Sequence, residues 1–190
     1  MPGPDPRPPT RRADAQRNRD RILAAAREAF AEPGAEVSMA EVARRAEVGM
    51  ATLYRNFPGR RELLEALYTG EVDALCRAAQ ARDGASPGER LTLWLRRFFE
   101  YFTSKRPVAT ELLAHVDGEH PVFGANRARV LAAGAPLLEA AQRAGEIRDD
   151  LTLEQVLDLT IAIAKLHGDD AYVQPILQAA LDGLRPAPRP

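Results

Sequence analysis

The sequence predicts an all-α protein of about nine helices. Apolar residues recur at intervals of three and four along most of the chain, which is the period of an amphipathic helix. No segment sustains a period-2 alternation, and no Asn-Gly or Asp-Gly pair joins two β-branched runs, so no strand or hairpin is predicted. Glycine and proline pairs separate the helical segments and mark the turns between them.

The first helix is predicted over residues 14–31, where apolar side chains recur at helical spacing until Pro33-Gly34 ends the pattern. The twelve residues before it contain five prolines and no apolar block, so we expect a disordered arm and no signal peptide. No apolar run reaches about eighteen residues, so a membrane-spanning helix is not expected. The single cysteine, Cys76, cannot form an internal disulfide. These features favour a cytoplasmic protein.

Two short helices are predicted after the first. Ser38 and Glu41 have the spacing of a capping box, in which the serine accepts from an amide of the first turn and the glutamate reaches back to the serine amide. That box predicts a helix to about residue 45, and a second short helix over 50–56 is closed by Phe57-Pro58-Gly59. Two helices of about two turns each, joined by about four residues, are typical of a helix-turn-helix.

Six further helices are predicted in the rest of the chain. The fourth helix starts near Arg61, has five or six turns and ends before Asp83-Gly84. In the last helix, Pro175 is expected in the first turn or at a kink. The other five helices begin near Leu91, Val108, Pro121, Thr152 and Val173 and end near Lys105, Val116, Gly145, Gly168 and Leu184.

The charge of the chain is unevenly divided, although the net charge is only −1. Residues 1–62 carry 12 arginines and 9 acidic residues, a net charge of +3, whereas residues 63–190 carry 14 basic and 18 acidic residues, a net charge of −4. A modestly basic front and an acidic back suggest two parts with different partners. The asymmetry is too mild to establish nucleic-acid binding without further observations.

The side chains that suit contact with DNA are concentrated in residues 38–61. A hydroxyl at a helix start satisfies an amide and also donates to a phosphate oxygen. Small or apolar side chains on the second short helix suit thymine methyl groups or close approach to the bases. An arginine at the start of the fourth helix opposes the helix dipole unless an anion is near. The candidate DNA-binding residues are Ser38, Arg44, Met50, Ala51, Thr52, Tyr54, Arg55, Asn56 and Arg60.

Several of these basic and aromatic residues also have a purely structural interpretation. Tyr54 is either a phosphate contact or a core aromatic, and Arg55 is either a DNA contact or a solvated arginine. The early arginines form either a basic arm that touches DNA or a solvated helix start. They are Arg11, Arg12, Arg17 and Arg19.

The same segment resembles the DNA-binding domain of the TetR (tetracycline-repressor) family of bacterial transcriptional regulators. The resemblance rests on VSMAEVA from Val37, on Val48 and on TLYRNFPGRRELL from Thr52, and it extends from about Arg17 to Leu64. It implies a three-helix DNA-binding unit, a long fourth helix, a helical ligand-binding domain and a homodimer made by the last two helices. It also implies a palindromic operator and repression relieved by a small molecule. The predicted domains are an arm over 1–12, a helix-turn-helix domain over 13–59, an effector-binding and dimerisation domain over 60–184 and a tail over 185–190.

Three positions depart from the family's pattern. Glu47 stands where a turn glycine is usual, and a non-glycine residue with a positive φ costs about 1 kcal/mol. Gly49 stands where a serine or threonine cap is common, and it lacks a side-chain acceptor. Arg60 replaces a frequent lysine and retains its positive charge. Glu47 also places a negative charge near the DNA.

Behind the helix-turn-helix the signals are weaker. Aromatic residues at helical spacing either fill a core or line a partly empty core that accepts a ligand. The candidate effector-pocket residues are Trp94, Phe98, Phe102, Leu112, His115, Phe123, Arg127, Leu131 and Thr160. The last two helices carry aliphatic faces with few charges, which suit either a contact between two subunits or burial within one. The candidate dimer-interface residues are Leu153, Leu157, Ile161, Ile176, Leu177, Ala180 and Leu181.

Two other function classes are weighed against a ligand-responsive repressor. A helical enzyme or carrier is disfavoured because the sequence shows no nucleophile–base pair, phosphate loop or dinucleotide fingerprint. An effector-independent DNA-binding activator would have a fully packed second domain. The loop over residues 115–120 lacks the i, i+4 histidine pair of a helical zinc site, so neither a metal nor another cofactor is expected. Cys76 is interpreted as a small buried residue rather than a redox trigger.

Overall fold

The computed structural model describes residues 11–32, 37–81, 86–104, 108, 111, 112 and 121–186. These residues form helices and turns and include no strand, which confirms the predicted all-α fold. Residues 108, 111 and 112 are helical as well, within the short helix predicted from residue 108. The bounded helices are α1 (Arg11–Ala31), α2 (Met39–Arg45), α3 (Met50–Asn56), α4 (Arg60–Gln80), α5 (Pro87–Ser104), α6 (Pro121–Arg143), α7 (Leu153–Ala164) and α8 (Asp170–Asp182).

The chain divides into two compact units, and the division falls inside α4, between Leu67 and Tyr68. The N-terminal unit comprises Met1–Leu67 and Pro107–His115, so its described part holds α1 to α3, the start of α4 and residues 108, 111 and 112. The C-terminal unit comprises Tyr68–Arg106 and Val116–Pro190, which include the rest of α4 and α5 to α8.

The core of the N-terminal unit is built by α1, which packs against both α2 and α3. Ile22 and Ala26 of α1 and Leu53 of α3 are fully buried, and Phe57 closes the same core directly after α3. Burying a side chain of this size contributes about 1.5–3 kcal/mol, so a handful of them holds three short segments together. The alternation of buried and exposed positions thereby fixes which face of α3 points outward.

The core of the C-terminal unit is centred on α5, which packs against α6 and α7, while α7 also contacts α8. Trp94 of α5 is 2% exposed, and its Nε1 donates to the Leu75 carbonyl at 3.2 Å. Its ring stacks on Phe98, with centroids 6.0 Å apart. Gly134 of α6 lies against the indole ring, because a Cβ added there would clash with Trp94 Cη2.

Several predicted helix details need correction. Helix α1 begins at Arg11 rather than Asp14, so Arg11 and Arg12 belong to the helix and not to the arm. The rest of the predicted arm, residues 1–10, lies outside the described residues. Pro175 lies inside the second turn of α8 rather than in its first turn.

The predicted capping box at α2 is only half formed. Ser38 Oγ accepts from the Glu41 amide at 3.1 Å, but the Glu41 carboxylate binds Arg44 and Arg45 instead of reaching back to the Ser38 amide. Two strongly charged donors outcompete a single amide for one carboxylate. A complete box forms at α7 instead, where Thr152 and Gln155 bond reciprocally at 2.9 and 3.3 Å.

Candidate nucleic-acid interface and cavity

Helices α2 and α3 are joined by a four-residue turn that holds one residue in the left-handed region. Glu47 has a φ of 52°, and among the described non-glycine residues it alone has a positive φ. The Val48 amide donates to the Ala43 carbonyl at 3.0 Å and so ties the turn back to α2. Gly49 caps α3 without a side-chain hydrogen bond. The turn therefore has helix-turn-helix geometry despite a glutamate where the backbone favours glycine.

Two arginines of α1 hold the carboxyl ends of these short helices. Arg21 Nη2 donates to the Ala46 carbonyl at 2.7 Å and to the Glu47 carbonyl at 3.0 Å. Arg19 Nη1 donates to the Asn56 carbonyl at 3.1 Å, and its guanidinium lies 4.4 Å from the centroid of the Phe57 ring. A helix leaves its last carbonyls unpaired and carries partial negative charge there, so both arginines stabilise the helix ends. This contact gives Arg19 a structural role beyond that of a solvated helix start.

An exposed acid–arginine cluster links α1 to α2. Glu41 accepts from Arg44 at 2.7 and 2.9 Å and from Arg45 at 2.6 Å, and Arg45 also binds Glu32 at 2.5 and 2.9 Å. The hydrogen bonds from Arg44 and Arg45 lower the pKa of Glu41 to about 2. Because Arg44 shares its guanidinium with Glu41, a phosphate that binds Arg44 must compete with that carboxylate.

The outward face of α3 consists mainly of small and apolar side chains. Met50 is 39% exposed and Tyr54 46% exposed, and Ala51 is exposed between them, whereas Leu53 is buried. Arg55 folds back on its own helix, with Nη2 donating to Thr52 Oγ1 at 3.0 Å and Nε to the Ala51 carbonyl at 3.2 Å. This face therefore permits close approach to a base edge, with one exposed phenol and one arginine that can be redirected.

Asn56 and Arg60, two more of the candidate DNA-binding residues, also have internal partners. Asn56 Nδ2 donates to the Thr52 carbonyl at 2.8 Å. Arg60 Nε donates to Glu111 Oε1 at 2.7 Å, its other nitrogens bind the Val37 carbonyl and Glu111, and its guanidinium lies 5.4 Å from the Phe30 ring centroid. The anion that offsets the helix dipole at Arg60 is thus a carboxylate of the protein.

The C-terminal unit contains a cavity of about 200 Å³ between α4, α5, α6 and α7. One wall is aromatic: Tyr68 and Phe123 meet edge to face with centroids 5.2 Å apart, and Phe102 meets Tyr101 nearly at right angles with centroids 5.6 Å apart. Phe98 completes that wall. The rest of the apolar lining is aliphatic and consists of Val72, Val130, Leu157 and Ile161.

Two polar residues of α6 line the same cavity. Arg127 is half exposed, and its Nη1 lies 3.5 Å from Asp158 Oδ1. Asn126 is 3% exposed, and its Nδ2 has no hydrogen-bond partner among the described residues. Burial raises the pKa of the Tyr101 phenol, so that hydroxyl stays protonated. An apolar cavity with a few polar groups has the chemistry of a small-molecule site.

Family models match both units of the chain. Residues 22–67 match the model of bacterial regulatory proteins of the tetR family, and residues 86–186 match the model of the C-terminal domain of SbtR-like transcriptional regulators. The second match alone spans more than half of the chain.

The chain belongs to the TetR family of transcriptional regulators.

Solved structures agree with this assignment. The TetR transcriptional regulator SCO0520 from Streptomyces coelicolor is 37% identical, with a TM-score of 0.73, and the match covers 89% of this chain and 99% of that one. A TetR transcription regulatory protein from Mycobacterium vanbaalenii is 32% identical, with a TM-score of 0.74, and the match covers 92% and 98% of the two chains. No curated protein sequence matches the chain significantly. The regulator is therefore a DNA-binding protein of this family and not an enzyme.

The structure separates the predicted pocket residues into those that line the cavity and those that do not. Phe98, Phe102, Phe123 and Arg127 line it. The other described candidates lie elsewhere: Trp94 fills the core, Leu112 is buried in the N-terminal unit, Leu131 packs against the core, and Thr160 Oγ1 bonds to the Val156 carbonyl at 2.8 Å. The candidate His115 lies outside the described residues.

Sequence reasoning missed several lining residues for identifiable reasons. Tyr68 and Val72 belong to α4, where the sequence shows them only as part of an apolar helix face. Asn126 gave no signal because a polar residue on a helix ordinarily faces water. Leu157 and Ile161 had been assigned to the subunit interface, because an aliphatic helix face looks the same whether it meets a cavity or a second chain.

The predicted dimer residues of this regulator face mostly inward. Leu153, Leu157, Leu177 and Leu181 are at most 8% exposed within a single chain, and Ile161, Ile176 and Ala180 are half-buried. The four leucines are thus buried within one chain, which is the alternative that the aliphatic helix faces left open. The large apolar residues left exposed on and beside α7 and α8 are Leu159, Leu166 and Tyr172.

The described residues show neither a membrane-spanning helix nor a cluster of metal ligands. None of the described helices is both long enough and apolar enough to cross a membrane. Within the described ranges, no three His, Cys, Asp or Glu side chains group together as metal ligands. The loop over residues 115–120 lies outside those ranges.

Replacing Glu47 by glycine is expected to raise the free energy of unfolding by about 0.5–1 kcal/mol, because glycine adopts a positive φ without strain. The Glu47 carboxylate is 87% exposed and 3.6 Å from Arg21, so its loss costs little. Glu47→Gln removes the same charge and keeps the strain, and we expect it to leave stability unchanged. Thermal unfolding followed by circular dichroism compares the two variants. If Glu47→Gly and Glu47→Gln were equally stable, the positive φ of residue 47 would not be a source of instability.

Proposed function

We propose that the regulator is a homodimeric repressor that binds a palindromic operator and is released by a small molecule in the cavity of its C-terminal unit. The observation that carries this proposal is the outward face of α3, a short helix whose carboxyl end is held by Arg19 and which presents small side chains. Two copies of such a helix, held about 34–36 Å apart by dimerisation, reach successive major grooves on one side of DNA. A regulator acting on bacterial operator DNA works in the cytoplasm.

For DNA contact we propose two groups of residues. Met50, Ala51 and Thr52 approach base edges, and small side chains there favour thymine methyl groups over bidentate base contacts. Ser38, Arg44, Tyr54 and Arg55 contact phosphates, which fixes the register on the duplex. Arg60 and the Asn56 amide keep their internal bonds and support the surface instead.

For dimerisation we propose the exposed apolar stripe of the last two helices. Leu159 and Ala162 are exposed one turn apart on α7, and Leu166 is exposed just beyond the end of that helix. Tyr172, Pro175 and Ala179 are exposed at i, i+3 and i+7 along α8. Residues spaced in this way share one helix face, as in a four-helix contact between two subunits. A stripe of exposed apolar residues on a monomer marks an interaction surface.

For release we propose that the effector acts through α4. Tyr68 and Val72 line the cavity, and the same helix starts at Arg60, whose side chain is anchored to Val37 and Glu111. A ligand that displaces the cavity wall displaces a rigid helix whose first turns belong to the DNA-binding unit. Release requires that the ligand binds the displaced state more tightly by a few kcal/mol. An effector-independent regulator is disfavoured because the second unit contains a cavity.

The DNA surface can be tested with duplexes taken from the region upstream of the regulator's own gene. Tyr54→Phe removes a phenol that donates to a phosphate, and we expect affinity to fall about tenfold, since a hydrogen bond to a charged group contributes about 1.5 kcal/mol. Arg55→Ala should lower affinity similarly and reduce the salt dependence by about one phosphate contact. Fluorescence anisotropy titrated at several salt concentrations measures both effects.

The matched control is Arg143→Ala, which removes the same charge from the exposed end of α6. We expect it to bind like the wild type. If Tyr54→Phe and Arg55→Ala also bound like the wild type while circular dichroism showed intact helices, the assignment of α3 as the DNA-contacting helix would be wrong. If the wild type bound no duplex at low salt, the proposed function itself would fail.

A further inference from the structure

The amide of Asn126 has one satisfied end and one unsatisfied end. Its Oδ1 accepts from Arg129 Nη1 at 3.2 Å. A guanidinium only donates hydrogen bonds, so this contact fixes which end of the amide is oxygen and which is nitrogen. Asn126 is 3% exposed, and its Nδ2 is without a partner in the part of the chain that the structure describes. A buried unpaired donor is costly, and such groups in native proteins call for an explanation.

The position of Asn126 supplies that explanation, because the residue lines the cavity of the C-terminal unit. A bound molecule with a hydrogen-bond acceptor would pair with Nδ2 and remove the cost of leaving it unpaired. A molecule without an acceptor would leave that donor buried without a hydrogen bond. A site of this kind discriminates strongly against ligands that lack the acceptor. The Nδ2 atom itself is buried behind the cavity surface, so a neighbouring wall side chain must shift for an acceptor to reach it. With that shift, Asn126 selects for a ligand that carries an acceptor.

The walls and size of the cavity indicate the body of the ligand. A cavity of 150 Å³ lined by apolar side chains holds a benzene ring, so about 200 Å³ holds one ring with a small substituent. Tyr68, Phe102 and Phe123 already pair edge to face with their neighbours, and a ligand ring continues this arrangement favourably. The aliphatic lining residues offer further apolar contact to the ring.

The charges around the cavity indicate a neutral ligand. The described lining residues include no carboxylate, so a cation would be buried without a counter-charge. Arg127 is the charged residue among them, and it is half exposed and 3.5 Å from Asp158. Arg129, which lies beside Asn126, is bound to Asp73. A buried anion would therefore meet only cations that already have partners.

We propose that the cavity binds a neutral compound with a single aromatic ring and a carbonyl-type acceptor, and that this acceptor takes the hydrogen bond of Asn126 Nδ2. The inference rests on the proposed role of the cavity as the effector site and adds the chemical class of the effector. Asn126 is in this account the residue that determines specificity, and the aromatic wall supplies the shape.

Acetophenone and α-methylstyrene test the proposal directly, because they have nearly the same shape and differ in a carbonyl oxygen against a methylene group. Isothermal titration calorimetry of the full chain without DNA measures both dissociation constants. We expect the wild type to prefer acetophenone about tenfold, the effect of one buried hydrogen bond. We also expect the side-chain amide resonance of Asn126 to shift in ¹⁵N–¹H spectra when acetophenone is added and not when α-methylstyrene is added.

Asn126→Leu replaces the amide with an apolar group of similar size. In this variant the preference for acetophenone should disappear, while binding of α-methylstyrene shows that the cavity is intact. Asn18→Leu makes the same substitution in α1, in the other unit, and should keep the tenfold preference. Asn126→Asp keeps the acceptor for Arg129 without the donor, and it should lose acetophenone binding even if Asn126→Leu fails to fold.

Four results would overturn the proposal: no binding of acetophenone, equal binding of the two isosteres, tighter binding of benzoate or phenyltrimethylammonium, or a preference that survives in Asn126→Leu. These titrations contain no DNA, so they are separate from the proposed function. If acetophenone binds as expected and the regulator ignores DNA, the ligand chemistry stands and the repressor proposal falls. If the regulator binds its operator and acetophenone does not bind, the repressor proposal stands and the proposed ligand chemistry is wrong.

Discussion

Replacing Gly134 by alanine is expected to lower the free energy of unfolding by about 2 kcal/mol, although alanine favours a helix over glycine by about 1 kcal/mol. An added Cβ would clash with Trp94 Cη2 and would lie 2.8 Å from Trp94 Cζ3 and 3.0 Å from Leu153 Cδ2. The indole cannot move aside freely, because its Nε1 donates to the Leu75 carbonyl and its ring stacks on Phe98. Helices α5 and α6 must therefore separate locally or the indole hydrogen bond must break.

The same helix provides a matched control. Gly124 of α6 is exposed, and a Cβ added there would meet nothing within 4 Å. Gly124→Ala should therefore raise stability by about 0.5–1 kcal/mol through helix propensity alone. Guanidinium denaturation followed by the fluorescence of Trp94, the single tryptophan of the chain, measures both variants. If Gly134→Ala were as stable as Gly124→Ala, the close packing of α6 on Trp94 would be contradicted.

Local signals in the sequence predicted the helices of the DNA-binding unit well. Gly49 before α3 and Pro58 after it bracket a helix whose observed bounds, Met50–Asn56, agree with the prediction. The unusual φ of Glu47 was anticipated from the family's turn glycine. These features depend on neighbours within a few residues along the chain, which a sequence displays directly.

Features that depend on distant partners were not predictable in this way. Arg60 was assigned to a phosphate because its partner, Glu111, lies 51 positions away in the sequence. Trp94 and Phe98 share an apolar face of α5, yet one fills the core and the other lines a cavity. Helical periodicity identifies the apolar face of α5 but not the surroundings of each residue on it. Whether a residue meets core side chains or a cavity depends on the positions of several other helices.

The inward direction of the leucines on α7 and α8 also depends on distant partners in the sequence. It decides which residues of these helices are available for dimerisation. A helix that packs between its own core and a partner subunit has two apolar faces. The sequence shows which residues are apolar but not which of the two faces each residue belongs to. Leu157 and Leu177 are both 2% exposed in a single chain, so they cannot also form a subunit contact, whereas Leu159 is 44% exposed and Tyr172 59% exposed. For this reason we propose the exposed side of the same two helices for the subunit contact.

Replacing Leu159 by glutamate is expected to convert the proposed dimer to monomers, because the dimer would bury two carboxylates, one from each subunit. Adding Leu166→Glu would raise the number of buried carboxylates to four. An unpaired carboxylate at the centre of an apolar contact costs several kcal/mol, whereas on the exposed surface of one subunit it costs little. Sedimentation equilibrium should show half the wild-type mass with unchanged helix content. Operator affinity should fall at least about a hundredfold, because the second recognition helix is no longer tethered.

Leu93→Glu is the matched control for this change, since Leu93 of α5 is 42% exposed, nearly as exposed as Leu159, but lies away from the proposed stripe. It should remain dimeric and bind the operator like the wild type. The pair of variants separates a specific interface from a general effect of added charge, because both introduce one carboxylate at a comparably exposed leucine. A dimeric Leu159→Glu variant would show that the two subunits meet through another surface, and the spacing of the two recognition helices would then have to be set from there.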